Sequence, residues 1–223
     1  MTTSKYGNFL TILLIVLIVA ILVVGGYFLY AKLIKPQIEG KKIQEATSQF
    51  DFNLNEIENE TNAISEENTN DIEVTGVTTT TGGNGKRKKY YNNYVMLGYI
   101  EIPKTGIKYP ILEETTVAAL ETSVAVLYPS NAELNGPHNT VIVGHNYRNG
   151  KFFSNNKKLS VGDKIYITGD NGKLEYTIYQ TFQTTTTDTS FYARDTAGIP
   201  EITLSTCTDD SKARLIIFAK AEQ

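Results

Sequence analysis

The chain has one cysteine, Cys207, and two histidines, His138 and His145, in 223 residues. One thiol cannot close an internal disulfide, and it cannot supply a thiolate cluster for a structural metal. Any role for Cys207 is therefore solitary, and any Cys-His chemistry must choose between two partners. An excess of one charge is also missing. The 21 Lys and Arg against 24 Asp and Glu leave a formal net charge of -3, which argues against a counterion-driven nucleic-acid binder. The only dense basic run, Lys86-Arg87-Lys88-Lys89, adjoins a Gly- and Thr-rich stretch. It reads as a solvated linker end, with lipid headgroups as its candidate anionic partner. The aromatic content, mostly Tyr and Phe, suffices for the modest core of one domain.

Residues 9–30, FLTILLIVLIVAILVVGGYFLY, carry no charge and match the length a helix needs to cross a bilayer. They are expected to form a transmembrane anchor after a short tail, residues 1–8. A cleaved signal peptide is the rival, but its apolar region would be shorter, and no small-x-small site follows at Ala31-Lys32-Leu33. Lys5 lies on one side of the span, whereas Lys32, Lys35, Lys41 and Lys42 crowd the other. Charge counting alone would put the C-terminal side in the cytoplasm.

Within residues 31–93, the stretch from about Lys41 to Lys89 is rich in Asn, Glu, Thr, Ser and Gly with scattered single apolar residues, too few to bury a core. Residues 31–93 are expected to be a flexible tether, although the part before Glu60 could continue as a fraying helix. From Tyr94 onward short β-branched and aromatic runs alternate with Gly, Pro, Asn and Asp, as in an all-β domain. The expected strands are 95–102, 107–111, 123–127, 140–143, 164–168, 174–183, 201–206 and 215–219. Short helical pieces are expected at 115–120 and around 151–159. Gly169-Asp170-Asn171-Gly172 reads as a hairpin connector, and Leu174, Tyr176 and Ile178 mark the buried face of the strand that follows. About eight short strands in so compact a stretch favour a closed barrel, which removes exposed edges.

Two strings carry the chemistry. In the first, Ile202-Thr203-Leu204-Ser205-Thr206-Cys207 is a strand ending in the lone thiol, followed by a short connector and Arg214-Leu215-Ile216-Ile217-Phe218. A hairpin of this form brings Cys207 and Arg214 to neighbouring strand ends. There a guanidinium favours the thiolate and can donate hydrogen bonds to a developing oxyanion. In the second, Asn139-Thr140-Val141-Ile142-Val143-Gly144-His145-Asn146 is an apolar strand with a histidine at its tip, where Gly144 lets the backbone bend. A histidine can give a proton to a leaving amine and take one from an incoming amine, the cycle of a transpeptidase.

The box Thr203-Leu204-Ser205-Thr206-Cys207, the spaced Arg214 and the upstream Val143-Gly144-His145-Asn146, in this order behind an anchor, resemble the sortases. The resemblance covers residues 94–223. It implies an eight-stranded sortase-type β-barrel with short helices, and catalytic roles for His145, Cys207 and Arg214. Asn146, Ser205 and Thr206 become candidate substrate-binding residues. It also implies cleavage of the Thr-Gly bond in a Leu-Pro-x-Thr-Gly-like sorting signal through a Cys thioacyl intermediate. A cell-wall or pilin amine would then accept the surface protein. The implied partners are those surface proteins and acceptors of a Gram-positive envelope and, through residues 9–30, the membrane. No metal, organic cofactor or nucleic acid is implied. The domain is expected outside the cytoplasm, against the charge count. The alternative activity is a secreted, membrane-anchored Cys-His peptidase that only hydrolyses, and a non-catalytic adhesive β-domain is the reading from outside enzymes.

The blander readings are a small buried hydrophobe for Cys207, an inert loop residue for His145 and a surface charge for Arg214. His138, in Asn135-Gly136-Pro137-His138, reads as a turn residue. Asp209 and Asp210 stand close to Cys207, and a carboxylate near the sulfur would disfavour the thiolate. They could instead face solvent, or orient His145 or Arg214. No Asp-Pro-aromatic lid motif is present, and residues 183–196 hold no dense acidic cluster for calcium. The string GHNYRNGKFF is similar to class B sortases, whereas the compact stretch 190–201 is closer to class D.

Overall fold

A computed structural model of the chain describes residues 5–62, 80–81, 87–131 and 133–222. Most of the low-complexity part of the expected tether lies outside these residues. The chain divides into two compact units, Met1–Gln44 and Glu45–Gln223. In the first, α1 (Lys5–Leu29) is followed by a π-helical turn, Tyr30–Ile34, and by the start of α2 (Lys35–Asn62). Among the described residues this is the one helix long and apolar enough to cross a membrane, and its apolar window buries nothing within the protein.

The second unit is a barrel. Its strands are β1 (Thr80–Thr81), β2 (Arg87–Tyr91), β3 (Tyr94–Ile102), β4 (Ile107–Leu112), β5 (Val124–Tyr128), β6 (Asn139–Val143), β7 (Lys164–Gly169), β8 (Gly172–Thr185), β9 (Glu201–Cys207) and β10 (Ala213–Ala221). The order β3-β4-β5-β6-β9-β10-β8-β7 closes on itself through β3–β7 pairing. All eight expected strands are present and form the closed ring, and β1 and β2 extend it beyond β3. At the closure Gly98 faces Gly169, and a Cβ on Gly98 would lie 2.0 Å from the Thr168 carbonyl oxygen. Only glycine allows so close an approach of the two strands.

The barrel interior is filled by β-branched and aliphatic side chains. Ile100, Ile102, Ile111, Ile142, Ile165, Ile167, Ile178 and Ile202 are fully buried or nearly so, each contributing about 1.5–3 kcal/mol of transfer free energy. Tyr176 and Ile178 point inward on β8 with Leu174 packed against them, as the alternation predicts. A second cluster on the outer face joins Val141, Ile216 and Phe218 to Phe191 of the β8–β9 connection. Asn139 fixes that connection by donating from Nδ2 to the carbonyls of Phe191 and Tyr192, both at 2.9 Å. No long helix is inserted there.

Three expectations change. The helix around 151–159 is reduced to a 3-10 turn, Asn156–Lys158, because Asn146 bridges Phe152 and Phe153 donates its N–H to the His145 carbonyl. The 115–120 helix is the single turn α3 (Val117–Leu120), capped by the Thr116 hydroxyl. The expected tether carries regular structure in its described parts. Residues 35–62 are helical, and β2 pairs with β3 across the Asn92-Asn93 turn, where both residues take left-handed φ.

The helical end is held by its own sequence. Ala46 and Phe50, one turn apart, are buried at 4% and 1% exposure within the second unit. Phe50 meets Tyr99 edge-on at 6.1 Å, and Lys89 sits over its ring at 3.4 Å. Tyr99 donates to Asp51 at 2.7 Å, and Lys89 pairs with Asp170 at 3.2 Å. Lys89, read as part of a solvated basic run, is in fact buried, and burial pulls its ammonium below the usual lysine range against the opposing pull of Asp170. Phe50→Ala is expected to cost about 3 kcal/mol, measured by urea unfolding; an unchanged midpoint would mean that this helical segment does not dock.

Candidate active site

Cys207 ends β9 and Arg214 lies near the start of β10, and the antiparallel register sets the two directly opposite each other. Arg214 Nη1 donates to Cys207 Sγ at 3.5 Å. The hairpin expected from the sequence therefore forms, with a guanidinium beside the only thiol. Cys207 is half-buried.

His145 arrives on the other neighbour of β9. β6 runs parallel to β9 in the register Asn139↔Glu201 through Val143↔Ser205, and beyond it Thr206 bonds the Gly144 carbonyl and Asn146 bonds the Cys207 carbonyl, on either side of His145 in the chain. The same register excludes His138. It precedes β6 and accepts at its carbonyl from the Glu201 N–H, at the far end of β9. At about 3.3 Å per residue it stands about 20 Å from the thiol end.

Gly144 is required by packing rather than by a left-handed backbone. A Cβ there would lie 2.8 Å from Val124 Cγ1 and 2.9 Å from Phe153 Cδ2. The loop beyond His145 turns sharply, with Arg148 and Phe152 at φ of 57° and 49°, a conformation costly for bulky residues. Burial of Phe152 offsets this, since its ring packs against Tyr109 at 5.1 Å and Tyr147 at 5.8 Å. Tyr147 in turn stacks on the His145 imidazole at 4.8 Å with an interplanar angle of 24°. Nε2 of His145 is buried and takes no hydrogen bond among the described residues.

The three residues taken as substrate-binding candidates are engaged differently. Thr206 is buried and donates from Oγ1 to the Gly144 carbonyl at 2.7 Å. Ser205 is also buried, at 3% exposure. Neither presents a free surface to a peptide. Asn146 donates from Nδ2 to the Cys207 carbonyl at 3.0 Å and to Asp209 Oδ1 at 2.9 Å, while its Oδ1 accepts from the Arg148 N–H at 3.1 Å. Strand alternation is legible in sequence, but which polar group finds an internal partner is not.

The aspartates beside Cys207 are also accounted for. Asp209 Oδ2 accepts from Lys157 Nζ at 2.5 Å, and its carbonyl accepts from Arg148 Nη1 at 3.0 Å. The Lys157 hydrogen bond, then that of Asn146, holds the Asp209 carboxyl below the usual carboxylate range. It stays ionised at neutral pH, and its contacts are lost only as pH falls through that depressed value. Asp210 accepts from the Thr208 hydroxyl at 2.6 Å and the Lys212 N–H at 3.1 Å, closing the β9–β10 turn.

A family model described as the sortase domain matches residues 100–222, and the chain belongs to the sortase family. It is similar to sortase A of Bacillus anthracis, 29% identical over 125 residues that cover 55% of this chain and 58% of that protein. Among solved structures it is similar to sortase A from Corynebacterium diphtheriae, at 29% identity and a TM-score of 0.53, covering 58% of this chain and 62% of the other. It is also similar to sortase C of Clostridium perfringens solved with its C-terminal cell wall sorting motif, at 29% identity and a TM-score of 0.51, covering 57% and 71%. The chain thus spans less than two thirds of the curated relative it matches.

Gly144→Ala is expected to cost about 1–3 kcal/mol by overpacking against Val124 and Phe153 and to displace His145. The check is urea unfolding together with peptide cleavage, and wild-type values of both would contradict this role for Gly144.

Proposed function

We propose that the chain is a cysteine transpeptidase that cleaves a Leu-Pro-x-Thr-Gly-like sorting signal and transfers the surface protein to a cell-wall or pilin amine. The observation that carries this reading is the Arg214 Nη1 to Cys207 Sγ contact at 3.5 Å, beside a parallel strand that delivers His145 to the same end of the sheet. Membership of the sortase family and likeness to a sortase C solved with a sorting motif support it.

The Cys207 sulfur attacks the threonine carbonyl carbon, a C–S bond forms, and the charge on the carbonyl oxygen is met by the Arg214 guanidinium. The C–N bond to glycine breaks as His145 gives its proton to the departing amine. The acyl group is now a thioester on Cys207. An acceptor amine attacks it, His145 takes the amine's proton, and the sulfur leaves, so the enzyme returns to its starting state. Water in place of the amine would make the chain a hydrolase, the finer point on which peptidase and transpeptidase differ. Residues 9–30 anchor the chain, and the barrel works outside the cytoplasm where sorting signals and acceptor amines meet. That reading sets the demand of the substrate above the lysine count at Lys32, Lys35, Lys41 and Lys42.

Cys207→Ala is expected to lower cleavage of a sorting-signal peptide by at least about a thousandfold, while His138→Ala retains most of it. With an added amine the wild type is expected to yield the amide-exchanged product. Equal activity of wild type and Cys207→Ala would refute the nucleophile, and hydrolysis without exchange would favour the peptidase.

A further inference from the structure

The β6–β9 ladder ends at Val143↔Ser205, two residues short of both His145 and Cys207. Only one further backbone bond, the Gly144 N–H to the Ser205 carbonyl at 3.3 Å, extends it. The reacting side chains therefore lie beyond the last regular rung, where a strand end would ordinarily fray. Side chains replace the missing rungs. Thr206 Oγ1 donates to the Gly144 carbonyl at 2.7 Å, and Asn146 Nδ2 donates to the Cys207 carbonyl at 3.0 Å.

The second N–H of Asn146 goes to Asp209 Oδ1 at 2.9 Å, and its oxygen accepts from Arg148. These contacts fix the rotamer and the direction of the amide, because donors and acceptors cannot be interchanged. Asp209 receives two more donors from the same loop, Lys157 Nζ on Oδ2 and Arg148 Nη1 on its carbonyl. All three donors come from the segment that follows His145, and Asp209 comes two residues after Cys207. We propose that Asp209, acting through Asn146, is a positioning residue that holds the His145 loop in register with Cys207 for catalysis.

This inference rests on the functional reading of Cys207 and His145. It also changes the sense of the carboxylate beside the sulfur, from an opposing charge to the far post of a clamp. The Lys157–Asp209 pair is half-exposed, with side chains at 51% and 49% exposure, and such pairs contribute little to folding stability. Its effect is expected in the geometry of the reaction, where small displacements of reacting groups are costly in rate.

The test uses the full chain in detergent, comparing wild type, Asp209→Ala, Asp209→Asn and Cys207→Ala. The readouts are kcat and KM for a sorting-signal peptide, the rate of Cys207 alkylation by iodoacetamide, and the thermal midpoint. Asp209→Ala is expected to lower kcat about tenfold or more, with KM within about twofold and a nearly unchanged midpoint. Alkylation slows as Cys207 loses its carbonyl tether. Asp209→Asn recovers most of kcat, because its Oδ1 still accepts from Asn146. The proposal is overturned if Asp209→Ala keeps the wild-type kcat or raises KM alone. Faster alkylation would overturn it too, since Asp209 would then act only as an unfavourable charge on the sulfur. Failure of Asp209→Asn to recover kcat would also overturn it, by assigning the effect to the carboxylate charge rather than to the hydrogen bond from Asn146. A fully active Cys207→Ala would instead defeat the functional reading, so the two failures are distinguishable.

Discussion

The parallel pairing of β6 with β9 is the constraint on which the site depends. Its register, Val143↔Ser205, brings the end of β6, from which His145 follows, to the Cys207 end of β9, and the antiparallel β9–β10 pairing sets Arg214 opposite Cys207 from the other side. β9 is thus flanked by the strand that leads to His145 and by the strand that carries Arg214, through two different pairings. A slip of one residue in either ladder would turn a reactive side chain to the wrong face. The barrel core makes such a slip expensive, because Ile142, Ile202, Leu204 and Ile217 would leave the interior with it.

Much of this was legible in the sequence because the strands alternate and end in polar or glycine residues. The eight ring strands were found within a few residues of their ends, and the Cys207–Arg214 hairpin followed from the shortness of its connector. The sequence could not tell which polar side chains are satisfied internally. Thr206 and Asn146 read in the sequence as substrate-binding candidates, and their hydrogen bonds go to Gly144, Cys207 and Asp209. Those partners lie about sixty residues away in the chain, on a different strand or turn, and local pattern carries no sign of them.

The expected tether illustrates a second blind spot. Its Glu-, Gln- and Asn-rich composition hides the one-turn spacing of Ala46 and Phe50, and a Lys-Lys-Tyr-Tyr run hides a strand. Lys89 is buried because Phe50 covers its ammonium and Asp170 pairs with it, an arrangement built from three separated segments. Polar composition predicts solvation only where no apolar neighbour and no counter-charge is brought in by the fold.

The central claim is that Cys207, flanked by Arg214 and His145, carries the acyl group during turnover. Intact-mass measurement of the full chain, acid-quenched while it processes a sorting-signal peptide, tests this most directly. The account predicts a mass gain equal to the peptide fragment ending in threonine, localised to Cys207 and discharged by an added amine. Continued cleavage with no adduct on Cys207 at any time would contradict it.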